Sequence, residues 1–215
     1  MAKIAFIIIS LLVGLTFSSK VHAQAYNFQE LSIQQGLPQS QAYAIAFDST
    51  QHAWIGTQGG GLCRFDGNDF EYFTKSDSLI SNRIVCLEQI ENKIWVGQKG
   101  GVSVFKLKGR FLNNYRLPAE VSVVQDIIEY EGEKLVATDG GLFKVDKGRL
   151  VAYTQNPTIE FTDIYQFFLT DNNDLWLCTI DGLLSFKDPL KKRNKARGLS
   201  ANQRNCAVTF GEYWL

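Results

Sequence analysis

Short apolar runs, each closed by a polar or glycine-bearing turn, recur along this chain with a period of about forty residues. Tyr43-Ala44-Ile45-Ala46-Phe47, Ile84-Val85-Cys86-Leu87, Val123-Val124 with Ile127-Ile128, and Ile164-Tyr165-Gln166-Phe167-Phe168-Leu169 are rich in β-branched and aromatic residues, which predicts strands. Polar turns follow at Ser49-Thr50-Gln51-His52, Glu91-Asn92, Glu131-Gly132 and Asp171-Asn172-Asn173-Asp174. A second strand opens at Trp54, Trp95, Leu135 and Trp176, and ends at Gly59-Gly60, Lys99-Gly100, Asp139-Gly140 and Asp181-Gly182, residue types that close tight hairpins. Third strands such as Gly101-Val102-Ser103-Val104-Phe105 lead to turns at Asp66-Gly67, Lys108-Gly109 and Lys147-Gly148. Fourth strands hold Phe70-Glu71-Tyr72-Phe73, Phe111-Leu112-Asn113-Asn114-Tyr115 and Leu150-Val151-Ala152-Tyr153.

The second-strand anchors stand at positions 54, 95, 135, 176 and 214, separated by 41, 40, 41 and 38 residues, and all four tryptophans of the chain are among them. Four antiparallel strands per period is the pattern of a β-propeller blade. The fold class read from the chain is therefore all-β, an incomplete β-propeller of about four blades plus the start of a fifth. Blades fall near 41–80, 82–120, 122–158 and 162–200, with a fifth beginning near 202. Stacked blades bury both faces of each sheet, which accounts for apolar runs that do not alternate cleanly. The tryptophans are read as wedges between blades, and not as ligand contacts.

At the start of the chain, Lys3 precedes an apolar run at 4–13, and Val21-His22-Ala23 offers a small-x-small site before Gln24. Residues 1–23 are read as a signal peptide and 24–215 as an exported partial propeller. Tyr26-Asn27-Phe28-Gln29-Glu30-Leu31 reads as a lone fourth strand, of the kind that completes a ring by pairing with the opposite terminus. An arc without that partner leaves sheet faces bare, so the chain is expected to be a truncated piece of a larger protein.

Composition changes the picture little. With 22 basic and 22 acidic residues the net charge is zero, and nothing points to nucleic acid. The one basic cluster, Lys191-Lys192-Arg193-Asn194-Lys195-Ala196-Arg197, is expected to be a solvated loop at the outermost strand of the fourth blade. Cys63, Cys86, Cys178 and Cys206 fall in different strands at no fixed spacing, so they are expected to be free, buried thiols. Neither they nor the histidines suggest a zinc site.

After removal of residues 1–23 only His52 remains of the histidines, which starves metal clusters and His-dependent nucleophiles of material. No catalytic, cofactor or metal residue is assigned, and the chain is not read as an enzyme. Asp171-Asn172-Asn173-Asp174 lacks the glycine and distal glutamate of a calcium loop and is read as a hairpin turn. The glycine-rich stretches lack the Gly-Lys-Ser/Thr end of a phosphate loop. Polar residues near the start of the innermost strands are the remaining candidates for ligand contact: Gln41, Arg83, Gln125, Asp126, Gln166, Arg204 and Asn205.

Gly36-Leu37-Pro38-Gln39-Ser40, then Phe47-Asp48, then Trp54-Ile55-Gly56-Thr57, Gly60-Gly61-Leu62 and Arg64-Phe65-Asp66-Gly67 resemble the two-component regulator propeller repeat. The likeness spans the mature chain and is strongest in the first blade. It is weaker where Gln98 replaces threonine, Leu135 tryptophan and Cys178 glycine. The resemblance implies a periplasmic sensor of a small molecule or glycan, with further sensor and histidine-kinase domains in cis and a possible homodimer. Two alternatives remain open: an exported propeller enzyme of lyase or hydrolase type, and a protein-interaction scaffold.

Overall fold

The computed structural model describes residues 30–154, 162–180 and 182–187, together with the backbone of 192–193, 209–210 and 213–214. The chain divides into the units Met1–Glu30 and Leu31–Leu215, and the strands all belong to the second. The expected signal peptide and Tyr26 to Gln29 of the expected lone strand lie outside the described residues, and the last two residues of that expected strand, Glu30 and Leu31, belong to no strand. Among the described residues no helix is long and apolar enough to cross a membrane.

Four four-stranded antiparallel sheets follow one another along the chain. They are β1 Ala42–Phe47, β2 Ala53–Thr57, β3 Leu62–Phe65 and β4 Phe70–Phe73; β5 Ile84–Ile90, β6 Lys93–Gln98, β7 Gly101–Lys106 and β8 Phe111–Arg116; β9 Val124–Tyr130, β10 Glu133–Thr138, β11 Gly141–Asp146 and β12 Arg149–Ala152; and β13 Ile164–Leu169, β14 Leu175–Thr179, β15 Gly182–Ser185 and β16 Lys192–Arg193. Each sheet is a meander in chain order. The first strands β1, β5, β9 and β13 lie side by side in that order, so the sheets stack as blades. A hairpin of β17 Thr209–Phe210 and β18 Tyr213–Trp214 follows, with Thr209 opposite Trp214. The basic cluster, read as a loop, contributes strand β16 at Lys192–Arg193, paired with Leu184 and Leu183.

The core lies between the blades. Trp54, Leu62 and Phe73 of the first blade meet Ile84, Ile94, Val96 and Phe105 of the second. Trp95, Val102 and Val104 meet Val124, Ile127, Val136 and Phe143 of the third, and Leu135, Ala137 and Leu142 meet Ile164, Phe167, Leu175 and Leu177 of the fourth. Trp54 stacks on Phe73 with ring centroids 5.7 Å apart, and Trp95 on Tyr115 at 5.5 Å. Where Leu135 replaces tryptophan, Tyr130 and Tyr153 close around Phe186 and restore the aromatic bulk.

The glycine and the threonine of Trp54-Ile55-Gly56-Thr57, each kept in at least one later blade, have a physical reason. A Cβ built on Gly56 collides with Ile84 Cγ2 and lies 2.8 Å from Ile84 Cβ, so the glycine admits the head of the next blade's first strand. A Cβ on Gly97 would overlap Cys86 Sγ of its own blade and meet Val124 Cγ1 of the next at 2.8 Å. The threonine hydroxyl closes the following hairpin: Thr57 donates to the Gly61 carbonyl at 2.8 Å, Thr138 to Gly141 at 2.6 Å and Thr179 to Gly182 at 2.9 Å. In the second blade Gln98 replaces it, and its buried amide accepts from Ser81 N at 2.7 Å and donates to Ser103 Oγ.

The turn ahead of each of the first two blades is also shared. Short 3-10 turns at Ile33–Gln35 and Lys75–Asp77 are capped by Ser32 and Thr74, and end in the left-handed residues Gly36 and Ser78. Tyr72 Oη donates to Gly36 O at 2.6 Å, and Asn114 Nδ2 to Ser78 O at 2.9 Å, so each fourth strand clamps the turn that leads into its own blade.

The expectation of free thiols throughout fails at Cys178, which is disulfide-bonded. It occupies the position of Gly56 and Gly97, opposite the first strand at Gln166, and is buried beside Trp176 and Leu183. Cys63 and Cys86 are free, and burial pushes the Cys63 thiol up to about 12. Cys206 lies outside the described residues.

Candidate functional site

One end of the array repeats in all four blades. Gln58 N donates to Gln41 O at 3.1 Å, Lys99 N to Arg83 O at 3.4 Å, Asp139 N to Val123 O at 3.4 Å and Ile180 N to Asp163 O at 3.2 Å. Each bond ties the residue just ahead of a first strand to the hairpin after the second strand. It therefore sets two side chains per blade at the same end of adjacent blades.

Just inside that end, every first strand carries a β-bulge. The register skips one residue between Ala42 and Ala44, between Ile84 and Cys86, between Val124 and Asp126, and between Ile164 and Gln166. The extra residues are Tyr43, Val85, Gln125 and Tyr165. A bulge leaves its residue unpaired and re-aims the side chains beside it, a common device next to binding sites.

The candidates from the sequence separate on this frame. Gln41 and Arg83 are exposed at the repeated end, Gln125 is a half-buried bulge residue, and Gln166 is exposed just beyond its bulge. Arg204 and Asn205 lie outside the described residues. Asp126 is engaged structurally: its carboxylate accepts from Ile127 N at 2.9 Å and from Phe167 N of the next blade at 2.8 Å. Burial pushes Asp126 up to about 6 against those two hydrogen bonds. Burial, with the charge of Asp126 behind it, pushes Glu88 on the neighbouring first strand up to about 7.

The sequence reading missed Tyr43, Gln58, Lys99, Asp139, Asp163 and Tyr165. Gln58, Lys99, Asp139 and Ile180 all stand four residues after an anchor, a constant offset that could have found them. Asp139 is occupied in placing the third blade, since its Oδ1 accepts from Ser122 N and Val123 N, both at 3.0 Å. The surface left for a ligand combines amides from Gln41 and Gln58, cations from Arg83 and Lys99, and the phenol of the half-exposed Tyr43.

His52 lies at the other end of β1, in the turn built on Asp48. Asp48 Oδ2 accepts from Trp54 Nε1 at 2.8 Å and its Oδ1 from Thr50 N at 2.8 Å and His52 N at 3.1 Å. Burial alone would lift Asp48, but hydrogen bonds from Thr50, Trp54 and His52 outweigh it and hold the carboxyl below the usual range. The Asp171 to Asp174 segment forms the expected hairpin turn, with Thr170 N donating to Asp174 O at 3.0 Å. Among the described residues no group of three or more His, Cys, Asp or Glu is placed to hold a metal ion.

No protein-family model and no curated protein matches the chain. Among solved structures it is similar to the extracellular domain of BT3049, described as a hybrid two-component system of B. thetaiotaomicron, at 22% identity and a TM-score of 0.62, covering 77% of this chain and 26% of that one. A second such domain from the same organism, BT4673, gives 20% identity and a TM-score of 0.59, covering 73% and 23%. Virginiamycin B lyase of Staphylococcus aureus gives 15% identity and a TM-score of 0.54, covering 67% and 52%. At such identities the likeness carries the fold, a propeller-like stack of four-stranded blades, and the chain spans about a quarter of the length of the two extracellular domains.

Proposed function

We propose that these blades belong to the exported, periplasmic ligand-sensing propeller of a two-component regulator, and that they bind a small polar ligand, a glycan or its fragment. The observation that carries this reading is the end built alike in four blades, where a backbone bond and a β-bulge hold Gln41, Gln58, Tyr43, Arg83 and Lys99 in repeated positions. Amide, phenol and cationic groups on a rigid sheet suit the hydroxyl-rich surface of a sugar. The two-component propeller motifs of the first blade, and the likeness to extracellular domains of two-component systems, support the sensing role. The partners are sensor and kinase domains in cis, and the blades themselves supply recognition, not chemistry.

Reading the native gene beyond the codon for Leu215 tests this architecture. Further repeats followed by a membrane span and a histidine kinase are expected. A continuation into repeats that carry a His/Asp/Glu cluster and then stop, without a span, would move the protein to the enzymes.

A further inference from the structure

A second site lies on the outer strands of the second and third blades, where Leu117 N donates to Gly100 O at 3.1 Å, next to the Lys99 hairpin. There the end of β8 and the start of β12 enclose an open cleft of about 480 Å³, lined by Tyr115, Arg116, Leu117, Pro118, Arg149 and Leu150 among others. That volume lies within the range of small-molecule sites.

The lining has two chemically distinct parts. Leu117, Leu150 and Tyr115 rest on the apolar cluster shared by the two blades and form an apolar floor. Tyr115 is held by its near-parallel stack on Trp95, with an interplanar angle of 5°, so that wall is preformed. Arg116 and Arg149 come from different blades and are both exposed, and among the described residues no ion pair engages either of them. The neighbouring Asn114 is already engaged, because its amide donates to Ser78 O and its carbonyl accepts from Ser103 Oγ. Arg116 and Arg149 are therefore the charged residues of the lining, beside the phenol of Tyr115, and a guanidinium fork matches the geometry of an oxyanion.

We propose that this cleft is a binding site for a small organic acid, with the carboxylate held between Arg116 and Arg149 and an apolar body on Tyr115, Leu117 and Leu150. Charge alone does not fill the floor, and an uncharged ring leaves both guanidinium groups without a partner. Occupancy also crosses from one blade to the next, so it clamps the outer strands together.

The test is equilibrium binding to the full chain, using benzoate against benzyl alcohol, which has the body without the charge, and acetate, which has the charge without the body. Benzoate is expected to saturate with a dissociation constant on the order of a millimolar. Benzyl alcohol and acetate are expected to bind at least about tenfold more weakly, and R116A and R149A each to weaken benzoate by about tenfold. Both arginines are exposed, and unchanged thermal midpoints of the two variants confirm that the fold is intact. Failure of benzoate to saturate, equal binding of benzyl alcohol, or undiminished binding in both variants would overturn the proposal. None of these results bears on the repeated end, which uses other residues.

Discussion

Replacing Gly56 by alanine isolates the contact that sets the spacing of the first two blades. The new methyl would overlap Ile84 Cγ2 and approach Ile84 Cβ to 2.8 Å, and Ile84 is fully buried, so it has nowhere to turn. Gly56 has an ordinary backbone conformation, so removing a glycine would by itself stabilise the fold by about 0.4–1 kcal/mol through the unfolded chain. Overpacking costs about 1–3 kcal/mol and reverses the sign. Ile84→Ala alone leaves a cavity worth about 2–5 kcal/mol, and the methyl introduced by Gly56→Ala would partly fill it. In chemical denaturation G56A and I84A are each expected to destabilise, while the double variant loses at least about 1 kcal/mol less than their sum. For a chain of this size each kcal/mol moves the melting midpoint by roughly 2–4 °C. A stabilising G56A, or a double variant additive within about 0.5 kcal/mol, would refute the wedge argument.

Trp54→Phe should cost about 1–3 kcal/mol more than Trp95→Phe, because Trp54 Nε1 donates to the buried Asp48 while Trp95 Nε1 is buried with no partner among the described residues. Equal losses in denaturant titrations would contradict the role given to Asp48. Glu88 and Asp126 are both raised in the folded state, so that state holds more protons than the unfolded chain between about pH 4 and pH 7, and stability falls as pH rises through that window. Glu88→Gln should flatten the upper part of this fall in pH-dependent melting, and an unchanged slope would show that Glu88 is not its source. Asp48 acts with the opposite sign, contributing stability above the usual carboxylate range and losing it as pH falls through its lowered folded value. Peptide mapping without reductant should recover Cys178 in a disulfide, with Cys63 and Cys86 alkylated as thiols after unfolding; a free Cys178 would restore the expectation of unpaired thiols throughout.

Strands and turns were legible because each blade repeats them at a fixed distance from a bulky anchor, and the structure places β2, β6, β10 and β14 on those anchors. The glycine two residues after Trp54 was visible but its cause was not, since the reason is Ile84 on the next blade, about thirty residues away, while at Gly97 it is Cys86 and Val124 together. The bulges at Tyr43, Val85, Gln125 and Tyr165 leave no common residue type, because an unpaired extended residue accepts almost any side chain. Asp126 was found as a polar inner-strand residue, but its engagement by Phe167 N depends on inter-blade geometry that composition does not encode. The Cys178 disulfide escaped for a related reason: pairing follows from the approach of strands in space, and irregular spacing along the chain says nothing against it.

The central claim, ligand recognition at the repeated end, is tested most directly by hydrogen exchange of the protein with and without soluble oligosaccharides. A sensing propeller predicts ligand-dependent protection confined to peptides holding Gln41 to Tyr43, Gln58, Arg83 and Lys99. Protection elsewhere, with those peptides unchanged for every oligosaccharide that binds, would contradict it.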